Sequence, residues 1–412
     1  MKKARKYPIM MLFAIGISNI GDWIYLIALN LIVLNHTGSP LAVAILYILK
    51  PLAAIFTNSW AGSLIDRLNK RRLMIFLDLF RAILIASISL FTSIELMYLI
   101  VFLINMGSSI FRPAAMTYMT KFIPPENRKR FNSLRSLVDS GGFILGPAIA
   151  GMLFVIGTPT FAIYFNAFSL FISGVITFLM PNVEKDSFNT THVQKLSMHL
   201  IKEDWKAVLN FSRNSVYVMI IYFLFNGMIV MTAAVDSLEA TFAKEVLLLS
   251  GHDYAILVSI AGIGFAIGAF INTIFSERVT TSSLIGLGSC FVSVGYLLYA
   301  FSEGYLMAAI GFFVLSFSLA FANTGFHTFY QAHIPVEMMG RIGSVYELVE
   351  AVLVIMTAVC IGLLAQFLSI RLVVIGGAIV MLLITVTLLL FNVHPSKRGY
   401  YRTVPSQGGK SV

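Results

Sequence analysis

Three features of the 412-residue chain predict an all-α membrane protein with twelve transmembrane helices. Apolar residues make up 58% of it and charged residues 12%, with a mean hydropathy of +0.87, far outside the range of a soluble globular protein. The apolar residues gather in blocks of about 20 or more, which at 1.5 Å per residue span a hydrocarbon core of roughly 30 Å. The charges lie between the blocks, and most Lys and Arg fall on one side of the resulting topology.

In order, the blocks run at about 8–34, 41–64, 73–93, 96–120, 136–157, 160–180, 215–240, 254–275, 283–301, 304–330, 343–369 and 371–392. The basic start, MKKARK, leads into a long apolar block with no small-residue cleavage site, so it reads as a retained first helix. Short turns at TSIE (92–95), GTPT (157–160) and LSIR (368–371) make the helices they join antiparallel. With both termini cytoplasmic, the basic residues collect at the termini and in the loops after the even-numbered blocks. Only Lys244 and Arg371 fall outside, and Lys50, Arg81 and Arg112 lie within blocks. The net charge of +10 is thus a topology signal and not a nucleic-acid footprint.

Cys290 and Cys360 both lie in apolar blocks and support neither a disulfide nor a metal site. Walker, GxSxG and HExxH patterns do not occur. Neither an enzyme, an ATP-driven pump nor a cofactor is expected.

The chain contains a repeat. IPPENRKRFNSL, from Ile123, and IPVEMMGRIGSV, from Ile334, share Ile123/Ile334, Pro124/Pro335, Glu126/Glu337, Arg130/Arg341 and Ser133/Ser344 at one offset. The same offset carries Asp66 and Arg67 onto Glu277 and Arg278. The expected organisation is a six-helix bundle at 1–181, a cytoplasmic linker at 182–214 with an interfacial helix, a second six-helix bundle at 215–393, and a cytoplasmic tail at 394–412. The mixed charges of the linker read as a solvated face.

GSLIDRLNKRR, from Gly62 to Arg72, resembles the loop between helices 2 and 3 of major facilitator transporters, with Asn69 where that superfamily often has Gly. GGFILGPAIAG, Gly141 to Gly151, is similar to their antiporter motif of helix 5. Asn19-Ile-Gly-Asp22-Trp23, Asp78-Leu-Phe-Arg81 and Phe111-Arg-Pro-Ala114 resemble the macrolide-efflux branch of the drug:proton antiporters. The resemblance implies two pseudo-symmetric halves that alternate access to a central site.

An ionised side chain at the bilayer centre is costly and therefore a functional candidate. Proton coupling is expected of Asp22, Lys50, Arg112, Asp78 and Arg81. Asp22 and Lys50 fall at similar depth, and a permanent ion pair between them is the structural alternative. Asp78 and Arg81, three residues apart, share a helix face and equally suit a local ion pair. A cytoplasmic latch is expected from Gly62, Asp66, Arg67, Arg71, Arg135, Glu277 and Arg278, with Asp66 meeting the N-terminus of the eleventh helix and Arg135. Gly142, Gly146, Pro147 and Gly151 of the fifth block, with Gly264 and Gly268 of the eighth, are expected to form a gate between the halves. Tyr25, Phe223, Phe225, Phe326 and Tyr330 are candidates for contact with a bulky apolar cation. Glu347 and Glu350 are the charges retained in the second half, whose main part would be apolar substrate surface.

These features predict a monomeric exporter in a bacterial plasma membrane, moving an amphipathic small molecule outward in exchange for protons. A carrier of the same fold for a metabolite, siderophore or lipid, without proton coupling, is the nearest alternative. A transport-inactive receptor or scaffold is the remote one.

Overall fold

The computed structural model describes residues 2–37, 40–184, 198–275 and 278–394. Within them the fold is wholly helical. The elements are α1 (Lys2–Thr37), α2 (Pro40–Arg67), α3 (Lys70–Ile88), α4 (Ile94–Phe122), α5 (Pro125–Ile156), α6 (Pro159–Leu179), α7 (Met198–Asn214), α8 (Val216–Asp236), the single turn α9 (Glu239–Thr241), α10 (Gly251–Phe275), α11 (Thr281–Ala300), α12 (Tyr305–His333), α13 (Met339–Phe367) and α14 (Ile370–Val393).

Among the described residues, ten helices are long and apolar enough to cross a membrane. The long helices α2 and α3 fall outside that set. Lys70, Arg71, Arg72, Asp78 and Arg81 charge α3, and part of the apolar start of α2 lies outside the residues whose side chains are described. The helices α5 and α13 begin well before their apolar blocks. Each extends through polar turns that follow the repeated Ile-Pro motif.

Local sequence sets the boundaries. Asn69 caps α3 by accepting the Arg72 N–H at 3.0 Å, and Thr280 caps α11 by accepting from Ser283 at 3.1 Å. Pro159 opens α6 at a position whose N–H would have no partner anyway.

The chain divides into two compact units, and each draws on both halves of the sequence. The first comprises Met1–Phe122, Gly141–Arg213 and Pro335–Val352. The second comprises Ile123–Ser140, Asn214–Ile334 and Leu353–Val412. In the first, α1 and α3 pack on α6, and α4 packs on α2 and α3. Ile24, Leu29 and Val33 of α1 meet Ile85, Ile88, Ile100, Ile104, Ile163 and Leu170 in its core. In the second, α12 packs on α10 and α11, and α14 on α8 and α11. One close approach is at Gly295, where an added Cβ would stand 2.5 Å from the backbone nitrogen of Leu315.

Candidate functional site

At its Asp66 end, α2 meets the start of α13. Gly62 makes this possible, because a Cβ there would lie 2.7 Å from the Cα of Arg341. Asp66 then accepts the backbone N–H groups of Gly340 at 2.8 Å and Arg341 at 3.1 Å, and the Arg341 Nε at 2.8 Å. A carboxylate is thus placed on the positive end of a helix and bonded to a guanidinium.

The linker helix α7 completes this cluster. Asp204, only 4% exposed, takes a bidentate pair of bonds from Arg67 at 2.6 and 3.0 Å and a third from Arg341 Nη1 at 2.9 Å. Along the same face, Trp205 Nε1 donates to the Ser59 carbonyl at 3.1 Å, Val208 is buried, and Ser212 hydrogen-bonds Tyr346. The reading of the linker as a solvated face is therefore corrected. Its i, i+4 ladder at 204, 208 and 212 docks on α2 and α13. Burial pushes the Asp204 carboxyl up, but the Arg67 bonds and the nearby Arg341 charge outweigh it and hold it below its ordinary value.

Glu184, 2% exposed, makes a second anchor. It accepts the Lys70 backbone N–H and the Lys121 Nζ, both at 2.7 Å, and lies 3.2 Å from the Lys70 Nζ. Burial raises its carboxyl too, and the Lys121 and Lys70 partners again win and lower it.

Other latch residues are engaged elsewhere. Arg135 lies 3.8 Å from Asp139, and Arg341 takes the place expected of it at Asp66. Arg71 donates to the Thr177 and Phe178 carbonyls, satisfying the C-terminal end of α6. Arg278 lies over the Phe275 ring at 6.0 Å, and Glu277 falls outside the described residues.

Deeper in the first unit lies a set of seven charged side chains. Asp78 is fully buried and bonded to Arg81, and it also accepts from Ser173 Oγ at 3.0 Å. Arg81 reaches Ser108 Oγ at 3.3 Å and lies 4.6 Å from the Phe111 ring centroid. Asp22 is exposed and lies close enough to Asn166, Arg81, Arg112 and Lys50 to feel their dipole and charges. Lys50 and Arg112 are also exposed. Glu347 accepts from Asn58 Nδ2 at 3.2 Å, and Arg112 acts on both Glu347 and Glu350.

A family comparison identifies the architecture at this point. Residues 11–358 match the model of the Major Facilitator Superfamily. The chain belongs to that superfamily. It is 24% identical to the uncharacterized MFS-type transporter YfiS of Bacillus subtilis (strain 168), over 96% of this chain and 95% of that protein. It is 27% identical to the multidrug efflux pump Tap of Mycolicibacterium fortuitum, over 37% of this chain and 40% of that one. Solved transporter structures share the fold. A bacterial homologue of the iron transporter ferroportin superposes with a TM-score of 0.71 at 14% identity, covering 93% of this chain and 99% of that one. The human organic anion transporter MFSD10 gives 0.74 at 12% identity, covering 94% and 99%.

The glycine stripes expected at a gate between the halves are each spent inside one unit. Cβ atoms at Gly142 and Gly146 would meet Asn19 at 2.9 Å and Trp23 at 2.3 Å, both on α1. At Gly264 and Gly268 they would meet the carbonyls of Phe313 and Phe317 on α12, at 2.7 and 2.3 Å. Gly151 has nothing within 4 Å, and the side chain of Pro147 lies outside the described residues.

The aromatic candidates divide in a similar way. Phe225 stacks on Phe326 at 4.0 Å, and Tyr222 bridges Phe326 and Tyr330, so this buried cluster fastens α8 to α12. It does not offer the open face expected of a substrate cage. Phe223 is exposed. The Tyr25 hydroxyl is buried with no hydrogen-bond partner among the described residues. Sequence reasoning missed Asp204, Glu184 and Asn58, polar residues whose partners come from distant segments.

Proposed function

We propose that the chain is a proton-coupled exporter of amphipathic small molecules. The observation that carries this reading is Asp22, a carboxylate on a membrane-length helix, exposed and surrounded by the charges of Arg81, Arg112 and Lys50. A charged side chain at membrane depth avoids hydrocarbon by facing protein or water, so exposure there suits a residue lining an aqueous path. A carboxylate with several cationic neighbours can give up one of them to a proton or a cationic substrate, which is the exchange that antiport requires. The partial match to a multidrug efflux pump supports the substrate class. Halves at 1–181 and 215–393, joined by the linker at 182–214, would move against each other, and the protein would act as a monomer in a bacterial plasma membrane.

Purified protein in liposomes tests this. An imposed pH gradient should drive accumulation of cationic dyes or macrolides, and Asp22→Asn should abolish the gradient dependence. Gradient-independent exchange would instead indicate a carrier without proton coupling. Absence of flux for a broad panel of amphipathic solutes would overturn the exporter reading.

A further inference from the structure

Asn58 and Glu347 are 289 residues apart in the sequence and hydrogen-bonded in the first unit. The Asn58 side chain is 1% exposed, and while its Nδ2 donates to Glu347, its Oδ1 has no partner among the described residues. A buried amide with an orphan acceptor is costly. The cost is recovered when the carboxyl beside it is protonated, because rotation of the amide lets Oδ1 accept the acid O–H. Asn58 therefore suits both states of Glu347.

The surrounding charges point the same way. Lys50, Arg81 and Arg112 face Asp22, Asp78, Glu347 and Glu350. Four carboxyls against three cations leave one negative charge over, which one bound proton neutralises. Asp78 is spent on Arg81. Arg112 on α4 acts on Asp22, Glu347 and Glu350, and Lys50 on α2 acts on Asp22. Asp66 on α2 and Arg341 on α13, each on the same helix as Asn58 or Glu347, are bonded to each other.

We propose that Glu347, positioned by Asn58, is a second proton-carrying carboxyl that competes with Asp22 for Arg112. The inference rests on the antiport reading above, in which the start of α13 faces the cytoplasm. Glu347 lies eight residues into α13, about 12 Å from its start, and Asp22 twenty residues into α1, about 30 Å from its start. A proton arriving from outside neutralises Asp22. Arg112 then turns to Glu347, whose own proton leaves to cytoplasmic water; the Asp22 proton next passes to Glu347, and Arg112 returns to the ionised Asp22, which restores the starting state. Each cycle moves one proton inward with no other bond made or broken.

The experiment is ΔpH-driven uptake of a cationic dye in liposomes, measured as a function of pH for the wild type, Glu347→Gln, Glu347→Asp and Asn58→Leu. Glu347→Gln should lower gradient-driven accumulation about tenfold and flatten its pH profile, while Glu347→Asp restores both. Asn58→Leu should move the midpoint of the profile by about one pH unit. Glu347→Gln with the wild-type profile overturns the inference alone. If Glu347→Gln fails to insert, an unmoved midpoint in Asn58→Leu does the same. A wild type indifferent to ΔpH overturns the antiport reading and this inference with it.

Discussion

Asp66 Oδ2 holds Arg341 twice, by its backbone N–H at 3.1 Å and by its Nε at 2.8 Å, so the last turn of α2 and the first turn of α13 are fastened through one carboxylate oxygen. Bonds to a charged group contribute about 1.5–3 kcal/mol each, and here several meet on one side chain. If the latch opens during transport, its release is a conformational step.

Asp66→Ala should loosen this end without preventing insertion. A cysteine at position 344, buried beside Gly62, serves as the reporter. Its labelling by a water-soluble maleimide should accelerate about tenfold in the Asp66→Ala background, equivalent to about 1.4 kcal/mol. An unchanged rate would show that the contact does not govern opening.

The anchors at Asp204 and Glu184 set a pH limit. Both carboxyls are held below their ordinary values, so their contribution is complete above the usual carboxylate pKa of about 4 and is lost as pH falls through the lowered folded values. Thermal unfolding in detergent should therefore be insensitive to these two groups between pH 5 and 8, and the acid-side drop should shrink in Asp204→Asn with Glu184→Gln. The same double variant should become more susceptible to proteolysis within α7. A pH profile and a cleavage pattern identical to wild type would mean that neither carboxylate anchors its segment.

Gly146 and Gly151 make a matched pair. Alanine at 146 would place its Cβ 2.3 Å from the Trp23 Cβ, a clash between α5 and α1, whereas alanine at 151 meets nothing within 4 Å. Overpacking of this kind costs about 1–3 kcal/mol, while Ala in an open helical position gains up to about 1 kcal/mol over Gly. Melting curves should fall for Gly146→Ala and hold or rise for Gly151→Ala. Equal behaviour of the two would remove the packing argument.

Asp78 and Arg81 should behave unlike Asp22. Removing one partner of the buried pair, as in Asp78→Ala, leaves a charge without its counterpart and should cost about 3–5 kcal/mol, seen as low yield of folded protein. Replacing both by leucine should recover much of that. Asp22→Asn should fold normally and lose the gradient dependence of transport. Normal folding of Asp78→Ala would move Asp78 from the structural to the functional group.

The sequence by itself determined the membrane class, the helix pattern and the family, because these depend on runs of apolar residues and on motifs that are contiguous in the chain. It also placed Asp22, Lys50, Arg81 and Arg112 among the residues to watch, since charges in apolar blocks stand out at once. The Asn58, Gly62 and Asp66 positions of α2 even share one i, i+4 face. What that face meets was decided only by tertiary structure. Asn58 finds Glu347, Gly62 finds Arg341, and Asp66 finds Gly340 and Arg341, all from residues far away in sequence. The same holds for α7, whose mixed charges look solvated in isolation but include Asp204, buried between two guanidiniums. Glycine stripes were equally ambiguous, because a missing side chain signals that some helix comes close and does not say which. Periodicity specifies a face; only the packed fold specifies its partner, and around Asp66 and in the charged set of the first unit that partner comes from a distant segment.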